Sequence, residues 1–127
     1  AIDSTDAWRR GNTHLTTALN FLSDKKNPDY RNSIKESISA VEALCVIITG
    51  NSKTSLGQAL AEIEKKHSLH DALKKSFAAL YGYTSDASGI RHSLIENGTD
   101  IDFEEAKFIL VSCSAFINFL KAKYSTT

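Results

Sequence analysis

The stretch from Asp102 to Tyr124 constrains this chain more than any other, because its apolar pattern fits one kind of secondary structure. Phe103, Ala106, Leu110, Cys113, Ile117, Leu120 and Tyr124 follow one another in alternating steps of three and four, the spacing that keeps side chains on one helix face. Asp102 stands at an N-cap position with Glu105 three residues on, the order of a capping box. Phe108, Ile109, Val111, Phe116 and Phe119 carry apolar character onto further faces. Such a helix is either enclosed within one chain or partly covered by a second copy.

The rest of the chain supplies helices to pack against it. Trp8, Leu15, Leu19 and Leu22 form one stripe of a first helix expected over 6–23, with Ser4 or Thr5 as its cap. Asn27 and Pro28 predict the start of a second helix, Pro being tolerated where an N–H would have no partner. On it Ile34, Ile38, Val41, Cys45 and Ile48 share a face that Leu44 and Ile47 widen, the pattern of a central helix, and Gly50 and Asn51 stop it. Arg31, Lys35 and Glu42 fall within about 40° of one another beside that face, so Glu42 is expected to pair with one of the two cations. A third helix is expected over 55–66 with Leu56, Leu60 and Ile63 inward. A fourth is expected over 69–81, capped by Ser68 and closed by Gly82, with Leu73, Phe77 and Leu80 inward. These elements make an all-α, four-to-five-helix up-and-down bundle with its long helices antiparallel, in one domain over 1–127.

Composition narrows the function. At 42% apolar and 24% charged the chain is globular, and its 15 basic against 15 acidic side chains leave no global pull on nucleic acid. Any polyanion must meet a local patch, so sequence-independent DNA binding is not expected. No apolar run approaches the ~20 residues that span a bilayer, and Cys45 and Cys113 both fall within apolar helical patterns, so a reduced, cytoplasmic protein without membrane association is expected. The chain has no Met, which predicts a domain taken from a longer polypeptide. Gly50 to Thr54 lacks the second glycine directly before lysine that a phosphate loop needs. Asn97-Gly98-Thr99 matches a glycosylation acceptor but reads as the turn before the last helix. His67 and His70 straddle a helix junction with no further ligands at metal-like spacing, so neither metal nor cofactor is expected.

Between the two helical regions lies SDASGIRHSLIEN, which places Arg91 and His92 side by side after a Ser/Asp/Gly turn. A guanidinium grips phosphate through paired N–H bonds and an imidazole moves protons near neutral pH, so the pair suits phosphodiester chemistry.

The segments YRNSIKESISAVEA and YGYTSDASGIRH, within a likeness running from Thr17 to Lys123, resemble the C-terminal domain of bacterial abortive-infection proteins of the AbiJ type, members of the HEPN superfamily. That resemblance implies a helical bundle pairing as a two-fold dimer, set after an N-terminal sensing domain. Many such domains are metal-independent RNases, with an Arg followed four to six residues later by a His and an acidic or polar residue on an earlier helix. Arg91 matches the Arg and Glu42 the acidic residue. Ile95, Glu96 and Asn97 occupy the usual His positions, and His92 directly follows Arg91.

Two functions follow. In the first, the chain is an endoribonuclease effector acting on single-stranded RNA. His92 transfers a proton, Arg91 stabilises the phosphorane-like transition state, Glu42 orients them, Arg31 and Lys35 hold phosphates, and Tyr81 and Tyr83 stack on bases. Glu42, Arg91 and His92 are then expected to converge near a dimer interface. In the second, the chain is a non-catalytic dimerisation or interaction module, with Arg91 pinning its loop against Glu42 or Asp86.

Overall fold

The computed structural model describes residues 4–85 and 101–125, and their side chains over 9–83 and 101–124. All regular structure among them is helical: α1 (Ser4–Ser23), α2 (Tyr30–Thr49), α3 (Leu56–Glu64), α4 (Asp71–Ser85) and α5 (Phe103–Ser125). No helix among the described residues is long and apolar enough to cross a membrane.

Helix α2 is the centre. Ile34, Val41, Leu44 and Cys45 are almost wholly buried, and α1, α3 and α5 all pack on it. Helix α1 runs antiparallel to it through small residues. Ala18, Ser33, Ser37 and Ala40 are each 0% exposed, so the two backbones approach closely along this seam. The buried hydroxyls are satisfied there: Ser33 Oγ donates to the Ala18 carbonyl at 2.7 Å and Ser37 Oγ to the Ser33 carbonyl at 2.9 Å. Without such partners each would carry a desolvation cost of about 1–3 kcal/mol.

The end of α1 and the start of α2 are built differently from the sequence expectation. Asp24 Oδ1 accepts from the backbone N–H groups of Asn27 and Lys26, which hold its carboxyl below the usual range. Asn27 belongs to that turn, and the cap falls to Asp29, whose side chain accepts from Asn32 N at 3.1 Å. Gly50 closes α2 at φ +70°, a left-handed conformation that its missing Cβ makes inexpensive, and its N–H donates to the Val46 carbonyl.

Two further boundaries move. Ser55 and Gln58 form a reciprocal capping box at the start of α3. Helix α4 starts at Asp71, not at Leu69, with His70 Nδ1 accepting from Ala72 N where Ser68 was expected to cap. It also passes through Gly82 and ends at Ser85.

Helix α5 runs parallel to α2, as the second and fourth long helices of an up-and-down bundle do. The Tyr30 and Phe103 rings meet edge to face at 6.2 Å near both N-termini, and Ile48 and Tyr124 line one cleft near both C-termini. Helix α4 supplies the antiparallel return: Phe77 packs against Phe116 at 4.1 Å and Phe119 at 5.3 Å, while Tyr83 lies near Glu105 and Phe108. Ala106, Ile109, Leu110, Cys113, Phe116, Ile117 and Leu120 of α5 are buried. Of the apolar side chains on its further faces, Ile109 and Phe116 enter the core and Phe119 packs against it, whereas Phe108 and Val111 are 55% and 59% exposed. Leu19 of α1, expected inward, is also 52% exposed, since the seam runs instead through Gly11, Ala18 and Leu22.

This packing predicts opposite outcomes for adjacent positions. Ala18→Leu forces a branched side chain into the closed seam and should cost about 1–3 kcal/mol, whereas Leu19→Ala should stay within about 0.5 kcal/mol. Urea denaturation of both variants measures the difference.

Candidate functional site

Arg91 and His92 lie outside the described residues, so the geometry of the expected site is built from its other members. Arg31, Lys35 and Glu42 share the outward side of α2, and all three are exposed. Among the described residues no ion pair joins Glu42 to Arg31 or Lys35, which corrects that expectation. Angular proximity hid the separation along the axis: at 1.5 Å per residue Glu42 stands about 16 Å from Arg31 and about 10 Å from Lys35. Glu42 instead acts on a thiol, adding to the burial that pushes Cys45 up to about 12. Arg31 has a partner of its own.

The two tyrosines have different surroundings. Tyr81 is half-buried against the core, beside Val41, Ile109 and Phe116, where only about 10 Å³ is left open. That is at the limit for a single water, so this side of Tyr81 has no room for a base. Tyr83 is exposed and lines a shallow cleft of about 220 Å³ with Phe108, Asp102, Glu104 and Glu105. Burial and then the Glu105 charge raise its phenol above the ordinary value. Three carboxylates beside an aromatic ring favour cations and oppose a phosphate backbone. Asp102 has a structural task here as well, its Oδ1 accepting from Glu105 N at 2.9 Å as the cap of α5.

Sequence reasoning passed over two constellations. His14 Nδ1 meets Glu36 Oε2 at 2.6 Å, joining α1 to α2 at a half-exposed point. The residues are 22 apart, and only the register of the antiparallel pair brings them together. The second lies where α2, α3 and α5 end, in a cleft of about 190 Å³ lined by Ile48, Glu62, Ile63, Lys66, His67 and Tyr124. His67 had drawn notice as a metal ligand beside His70, but His70 is spent on the α4 cap. No group of three or more His, Cys, Asp or Glu side chains among the described residues is placed to hold a metal ion.

No family model, no curated protein and no solved structure matches this chain.

Both thiols are free and buried, and burial pushes Cys113, like Cys45, up to about 12. Because the thiolate is the reacting species, neither should react with a disulfide reagent at pH 8 in the folded protein. Both should react at once in denaturant, and absorbance of the released thiol reads this directly. Glu42→Gln, at an exposed carboxylate with no described ion pair, should change stability by no more than about 0.5 kcal/mol in a thermal melt.

Proposed function

We propose that this chain is a HEPN-like helical domain of an abortive-infection protein, acting in the cytoplasm as a two-fold pair. The observation that carries the pairing is the outward side of α5, where Phe108 and Val111 stay more than half exposed. Ala115, next on the same side, is exposed and small enough for close approach of another helix. Charge along α5 is ordered as well. Asp102, Glu104 and Glu105 stand at its start, and Lys121 and Lys123 in its last turns. An antiparallel two-fold contact sets the acidic start of one α5 toward the basic end of the other. The interface should bury more than ~1,000 Å² in total, the size of a specific contact.

The chemistry proposed for the pair is metal-independent cleavage of single-stranded RNA. Arg91 and His92 support it by residue type, and the resemblance to the AbiJ-type domain supports it by sequence. His92 moves the proton of the ribose hydroxyl or of the leaving oxygen, and Arg91 neutralises charge on the phosphorane. An N-terminal sensing domain would control it in the longer protein.

A second proposal, an interaction module without catalysis, draws on the carboxylates around Tyr83 and on the exposed, singly placed Glu42. In that case Arg91 serves the loop alone. An exposed Glu42 also means that loss of Arg91 strands no buried carboxylate.

Sedimentation equilibrium should give a dimer at micromolar concentration for the parent. Phe108→Glu with Val111→Glu should give a monomer of unchanged helicity; a monomeric parent would remove the pairing proposal. RNA cleavage in EDTA should be seen with the parent and lost in Arg91→Ala and in His92→Ala, each within about 0.5 kcal/mol of parental stability. A paired parent that cleaves no RNA leaves the interaction module as the function.

A further inference from the structure

We draw no further inference here: the strongest candidate, the apolar groove between α1 and α5 lined by Leu15, Leu19 and Leu110, is an uncovered face between two helices, and nothing in the structure shows what covers it.

Discussion

The close approach of α1 to α2 sets the position of everything else. Ala18, Ser33, Ser37 and Ala40 remove side-chain bulk from that seam, and the hydrogen bond from Ser33 Oγ to the Ala18 carbonyl fixes its register. With one flank of α2 closed in this way, its remaining apolar side chains, Ile34, Ile38, Val41 and Cys45 among them, are left for α5 and α3. The same register brings His14 to Glu36. One consequence reaches furthest: α5 lies along α2 in parallel, so the C-termini of α2, α3 and α5 gather at one end and their lysines with them.

Much of this was legible in the residues. Apolar steps of three and four gave α2 and α5, and Asp102 and Ser55 marked helix starts that their side chains do cap. What periodicity could not convey is which neighbour a face meets. Leu19 belongs to the stripe by spacing, but Gly11 and Ala18 provide the closer contact and leave it outside. The course of α5 parallel to α2 follows from the up-and-down order, with α4 making the return along the Phe77, Phe116 and Phe119 rings. Local competition hid the other boundaries. Asn27 is a good cap residue, yet Asp24 claims its N–H for a turn, and Asp29 and His70 take caps that composition assigned elsewhere.

The candidate site was legible in residue type and not in distance. Arg31, Lys35 and Glu42 project onto one side of α2, but three helical turns separate the outer two, and a charge pair needs contact within about 4 to 6 Å. Tyr83 was visible as an aromatic at a helix end. Its surrounding carboxylates come from the start of α5, 19 or more positions away, so only the antiparallel course of α4 and α5 reveals the field it sits in. Charge is also separated along α5, acidic in its first turn and basic in its last. That makes an antiparallel copy of the chain the natural cover for Phe108 and Val111.

Pairing through that side is the central claim, and a single engineered thiol tests it without relying on activity. Cys45 and Cys113 are buried and raised to about 12, so they stay silent in the folded protein. Ala115 lies on the same exposed side as Val111, near the middle of α5, where a two-fold axis would bring both copies of one residue together. Mild oxidation of Ala115→Cys at micromolar concentration should therefore yield a disulfide-linked dimer within minutes, far faster than Ala78→Cys at an exposed position on α4. Equal, collision-limited rates at the two positions would contradict the account.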